Sequence, residues 1–128
     1  MARTTERTVA WSELNLRGVM VNTAVGPVTV YPSDSGIMFV NTYVGDIQYN
    51  LPAVADSMGK MYLFCNADDQ DLKINSTAAN IVVYGQSGVT QQTSVTYSDK
   101  PGAACAVIGD GTRYLFMNFC GTEPDARG

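Results

Sequence analysis

Two kinds of hydrophobic pattern take turns along this chain. In Asp46-Ile47-Gln48-Tyr49-Asn50-Leu51 polar and apolar positions alternate without an error, the period of a strand with one buried and one wetted face. Pro52 closes it, because proline cannot donate to a ladder and holds the preceding residue extended. A loop over Ala53 to Gly59 follows. From Lys60 the alternation fails: Met61, Leu63 and Cys65 are apolar on one face, while Tyr62 and Phe64 are bulky on the other. Such a strand needs cover on both sides. Asp71–Asn75 and Thr93–Tyr97 repeat the one-sided pattern, whereas Ile37–Val44, Ile81–Tyr84 and Arg113–Cys120 repeat the two-sided one. Val28–Tyr31 and Ala103–Ile108 complete the regular strands, and Gly18–Val21 is a further candidate inside an otherwise aperiodic N-terminal stretch.

Dense turn chemistry separates these segments, as in Pro32-Ser33-Asp34-Ser35-Gly36 and Ser98-Asp99-Lys100-Pro101-Gly102. Asp110-Gly111 predicts a two-residue hairpin loop between the last two strands, with both positions at positive φ. About nine short strands at a spacing of roughly 8–12 residues predict an all-β fold, an antiparallel β-sandwich or a partly closed barrel. The expected organisation is an extended N-terminal arm over residues 1–26, a β-domain over 27–122 and a C-terminal tail over 123–128. One internal echo stands out. Asp34-Ser35-Gly36-Ile37-Met38-Phe39-Val40-Asn41 and Asp56-Ser57-Met58-Gly59-Lys60-Met61-Tyr62-Leu63-Phe64-Cys65-Asn66 both read as a turn, an apolar strand and an Asn. A single echo predicts two similar hairpins and no solenoid.

Composition supports this class. A chain of 128 residues is one domain by length, and twelve glycines and seven tyrosines, with many Val and Thr, favour strands over helices. The formal charge of −4 gives no general attraction for phosphate backbones, so nucleic acid is not an expected partner. Residues 1–26 carry Arg3, Arg7 and Arg17 against Glu6 and Glu13, leaving the arm at +1 and the rest, with five basic and ten acidic residues, at −5. A basic arm on an acidic body suits docking on an acidic partner, and Trp11 is its one large anchor. Cys65, Cys105 and Cys120 form no CxxC pair and lie in apolar patterns, which predicts buried free thiols in a reducing compartment. No secretory signal or apolar run of membrane-spanning length is visible.

The chemistry-bearing candidates are few. There is no histidine, which removes the commonest general base and metal ligand. Ser57-Met58-Gly59-Lys60 matches the S-x-x-K spacing of serine acylases, but glycine ahead of a strand offers no helix to align the pair. Asp68, Asp69 and Asp71 are oxygen donors without the glycine and terminal glutamate of a calcium loop, and read as a solvated turn. Asn75-Ser76-Thr77 is formally a glycosylation sequon, of no use without export. No catalytic residue, metal or cofactor is expected. A surface question remains. A two-sheet sandwich covers one face of each sheet, so Tyr62, Phe64, Tyr114 and Phe116 need a second cover, either the folded-back arm or copies of the same chain.

The strings DIQYNLPAVADSMGKMYLFCN and IGDGTRYLFMNFCGT, residues 46–66 and 108–122, resemble segments of virion surface proteins of tailed bacteriophages. In these a strand ending in Leu-Pro is followed by Gly-Lys and an aromatic strand, and Gly-Thr ends the last hairpin. Leu51, Pro52, Gly59, Lys60, Tyr62 and Phe64 carry most of the resemblance, which covers under a third of the chain. It implies a small all-β homotrimer on the outer capsid surface, a decoration protein made in the host cytoplasm, with the major capsid protein as partner. On that reading Tyr62, Phe64, Tyr114 and Phe116 form the subunit interface, and Arg3, Arg7, Trp11 and Arg17 dock on the capsid; neither nucleic acid nor membrane is a partner. A ligand-binding β-module, such as a tail-fibre receptor or carbohydrate binder using Tyr31, Tyr43, Tyr84 and Tyr97, is the alternative.

Overall fold

Residues 16–78, 80–83, 92–98, 101–120 and 125–127 are described in a computed structural model of the chain. The strands are β1 Gly18–Asn22, β2 Val28–Thr29, β3 Ile37–Asn41, β4 Ile47–Asn50, β5 Met61–Asn66, β6 Leu72–Asn75, β7 Ile81–Val83, β8 Ser94–Tyr97, β9 Ala104–Gly109, β10 Tyr114–Cys120 and β11 Asp125–Arg127. They form a six-stranded sheet in the order β1-β3-β5-β9-β10-β7 and a five-stranded sheet in the order β11-β8-β6-β4-β2. This is an all-β sandwich, not a closed barrel.

Both sheets are mixed, not antiparallel as the sequence predicts. The chain crosses from one sheet to the other at every step from β1 to β6, and each strand pairs in parallel with the strand two before it. Three stacked coils result, a short solenoid closed by a second half in which β8, β9, β10 and β11 add antiparallel pairs. The two echoing segments are consecutive coils rather than separate hairpins: Met38 pairs with Leu63, Phe39 with Phe64, Val40 with Cys65 and Asn41 with Asn66. The reason is packing. A strand that repeats its neighbour's residues one coil later stacks like on like, and Phe39 and Phe64 lie nearly parallel at 5.5 Å, with Tyr49 of the opposite sheet tilted onto both.

Two expected boundaries move. Gly18–Asn22 is a full strand paired with β3, so the body begins before residue 27, and the tail contributes β11 alongside β8. The β9–β10 hairpin forms, but its loop is wider than two residues. Gly109 pairs with Tyr114 and the Asp110 N–H donates to the Arg113 carbonyl at 3.0 Å. Oδ1 of Asp110 accepts from the N–H of Thr112 and of Arg113, and Gly111 takes the positive φ of 91°. Those N–H donors and the adjacent Arg113 guanidinium hold the Asp110 carboxyl below its usual range.

The interior is aromatic and aliphatic, with Tyr49, Tyr62, Tyr97, Tyr114, Phe39 and Phe64 fully buried. Each such ring stabilises the fold by about 2–3 kcal/mol relative to exposure. Their hydroxyls are mostly satisfied. Tyr114 Oη lies 2.5 Å from the Pro52 carbonyl and 3.0 Å from Ser57 Oγ, which is 2.8 Å from Tyr62 Oη. This relay pins the Pro52–Ser57 loop, with its 3-10 turn at Val54–Asp56, against the sheet. Tyr49 Oη is the one buried side-chain polar atom without a partner among the described residues.

Candidate functional site

The sandwich sorts the strands by their patterns. The two-sided segments become β3, β5, β7 and β10, all in the six-stranded sheet, and the one-sided segments become β4, β6 and β8 of the other sheet. The six-stranded sheet is therefore apolar on both faces. Its inner face holds Phe39, Tyr62, Phe64, Val107, Tyr114 and Phe116, all within the core cluster. Its outer face is a set of cross-strand rows. One runs Val19, Met38, Leu63, Ala106, Met117; another Val21, Val40, Cys65, Ala104; a third Met61, Ile108, Leu115, Val82. Every position in these rows is apolar.

Tyr62, Phe64, Tyr114 and Phe116, expected as the subunit interface, are thus core residues, at most 7% exposed. Their sequence neighbours Met61, Leu63, Leu115 and Met117 point outward instead. In a strand with period two, an error of one residue exchanges the faces completely. Leu115, Met117 and Phe119 are 39%, 42% and 54% exposed, and Val19 and Val21 are exposed at the β1 edge. Leu63 and Ala106 are buried at the centre of this face without belonging to the interior cluster. Phe119 extends the apolar surface past the irregularity between Asn118 and Cys120.

Of the expected docking residues, Arg3, Arg7 and Trp11 lie outside the described residues. Arg17 is exposed but belongs to the body: its Nη1 donates to the carbonyls of Ser33 and Ser35 at 3.0 and 2.7 Å, and its backbone N–H to Gly36. The arm is fastened there to the turn that precedes β3.

The expected tyrosine platform does not assemble. Tyr31 is exposed and Tyr43 half-buried, but Tyr97 is buried with its hydroxyl donated to Asn118 Oδ1 at 2.5 Å, and Tyr84 lies outside the described residues. Ser57 is buried in the hydroxyl relay, and the Lys60 N–H donates to its carbonyl in a turn, so no helix aligns Ser57 with Lys60. Asp68 accepts from the Asp69 N–H while the Asp71 N–H turns toward Asp46, and no group of three or more possible metal ligands converges among the described residues. Cys65 and Cys105 are thiols outside any disulfide, half-buried and buried.

Burial pushes the Tyr49 and Tyr114 hydroxyls up to about 12 and raises that of Tyr62, with Ser57 partly opposing the rise at Tyr62 and Tyr114. These are packing effects in the interior. No helix among the described residues is long and apolar enough to cross a membrane. Comparison with known protein families, with curated proteins and with solved structures gives no match. The outer sheet face is the feature that stands out, and its signal was already in the sequence as strands without a polar side.

Proposed function

We propose that this chain is a non-enzymatic structural protein that works as a homo-oligomer through the outer face of its six-stranded sheet. The observation that carries the reading is that face: three apolar rows with Leu115, Met117 and Phe119 reaching into water. The longest row crosses five strands at about 4.8 Å and the three rows lie about 6.7 Å apart, so the face measures roughly 24 by 20 Å at its widest. That is the size of the largest patch on an ordinary monomer, which is often functional, and a stable interface of roughly 800 Å² per partner would take in Phe119 and the β1 edge as well. Further copies of the chain are the matching occupants, because an all-apolar face needs an apolar partner; about a threefold axis one part of the face meets a different part of the next copy's face. The segment 1–15 offers only Met1, Val9, Trp11 and Leu14 as larger apolar cover, too few for three rows.

The setting follows from the resemblance to virion surface proteins. As a trimeric decoration protein on the outer capsid surface, the chain would clamp neighbouring copies of the major capsid protein, each weak contact gaining from the other two. The basic residues Arg3 and Arg7, with Trp11, supply the docking segment; no cofactor, membrane or nucleic acid is involved. A tail-fibre or receptor-binding module is the second reading, favoured by the stacked parallel coils, an architecture that extends in one dimension.

Native mass by light scattering, together with co-sedimentation with capsid shells from the same infection, tests the proposal. The wild-type chain is expected to be trimeric and to pellet with shells, and Leu115→Asp/Met117→Asp to be monomeric with wild-type secondary structure. A monomeric wild type, or a double variant that stays oligomeric, overturns the interface. An oligomer that ignores shells but binds glycans favours the second reading.

A further inference from the structure

The five-stranded sheet carries a built groove on its outer side, facing away from the apolar face. It has a volume of about 400 Å³, within the range of small-ligand sites, and is lined by Val25, Gly26 and Pro27 on one wall and by β4, β6 and β8 on the floor. Asp46 and Asp71 come together because they precede strands paired as Ile47 with Leu72, and the Asp71 N–H donates to Asp46 Oδ1 at 3.2 Å. One step along, Gln48, Lys73 and Thr96 form a row across the three strands on the outward face. The wall is fixed in place. A Cβ at Gly26 would sit 2.8 Å from Ile47 Cδ1 and 3.2 Å from the Gln48 carbonyl, so any side chain there would push the loop or the Ile47 tip aside.

We propose that this groove binds a neutral saccharide. Carboxylates that only accept stand beside an ammonium that only donates, and Lys73 makes no ion pair with any other described residue. A vicinal diol matches that arrangement, donating a hydrogen bond to Asp46 or Asp71 while accepting one from Lys73, with Gln48 and Thr96 able to do either. Val25 and Pro27 offer apolar contact for the carbon face of a sugar ring. Among the described lining residues two carboxylates stand against one ammonium, which disfavours phosphorylated or acidic sugars. The site goes beyond the assembly role and leaves the interface face untouched, so a decorated surface would present it outward.

The test uses the full-length protein, its amide resonances followed during titration with neutral mono- and disaccharides of glucose, galactose and their N-acetylamino forms. Saturable millimolar binding is expected, with shifts centred on Gln48, Lys73 and Thr96. Asp46→Asn/Lys73→Met should weaken it at least about tenfold while the native mass stays that of the wild type. Absence of saturable shifts, shifts centred elsewhere, full binding by the double variant, or shifts induced by calcium alone and required for sugar binding would each overturn the proposal. None of these outcomes bears on the oligomer, which the native mass reports separately.

Discussion

Asn41 and Asn66 lie 25 residues apart in the chain and side by side in the interior, with Asn41 Nδ2 donating to Asn66 Oδ1 at 3.1 Å. Each also fixes the corner that follows its strand. Asn41 Oδ1 accepts the Tyr43 N–H, and Asn66 Nδ2 donates to the Gln70 carbonyl at 2.6 Å. Asn22 occupies the same rung of the first coil. Ladders of this type link stacked strands through their side chains as well as their backbones. The Asn at the end of each echoing segment therefore adds a side-chain link to the backbone pairing of these two coils.

Asn66→Ala should cost about 2–3 kcal/mol in urea unfolding, because it leaves the Asn41 amide and the Gln70 carbonyl without partners in a buried corner. A loss below about 0.5 kcal/mol would mean that the ladder contributes little.

Tyr114→Phe removes the hydroxyl that reaches both Pro52 and Ser57 while keeping the ring in the core. The expected loss is about 1–2 kcal/mol, accompanied by faster amide exchange in the Pro52–Ser57 loop. Unchanged exchange there would show that the relay does not hold the loop.

Gly111→Val should destabilise by about 1–3 kcal/mol, since φ of 91° is strained for a β-branched residue and its Cβ would meet Met58 Sδ at 3.0 Å. Thermal unfolding measures this, and an unshifted midpoint would count against the left-handed geometry of the loop.

Alkaline pH should unfold the protein through its tyrosines. Tyr49 and Tyr114 titrate at about 12 in the folded state and near 10 when unfolded, so the folded form holds these protons more tightly. Their contribution is fully present below pH 10 and is lost as pH rises toward 12. Tyrosinate absorbance should show at least two groups ionising only with unfolding, and Tyr49→Phe should flatten the loss; ionisation of every tyrosine near pH 10 without unfolding would contradict it.

The sequence by itself determined most of the strands but not β11, and with them the all-β class, the β9–β10 hairpin and the division into one-sided and two-sided segments. These rest on local chemistry: period-two alternation, proline and glycine at turns, and Asp110-Gly111. What only the tertiary structure decided was which partner each strand takes and which face each presents. Parallel coils need strands that are far apart in the chain, and the one sequence trace of them, the echo ending in Asn41 and Asn66, reads equally well as two hairpins until the register is known. The interface face was hidden for a related reason. When both faces of a strand are apolar, alternation carries no sign, so Tyr62 and Leu63 compete equally for the interior; the Ser57 and Pro52 groups that receive the tyrosine hydroxyls, and the stacking of Phe39 on Phe64, turn the aromatic set inward and leave Leu115 and Met117 outside.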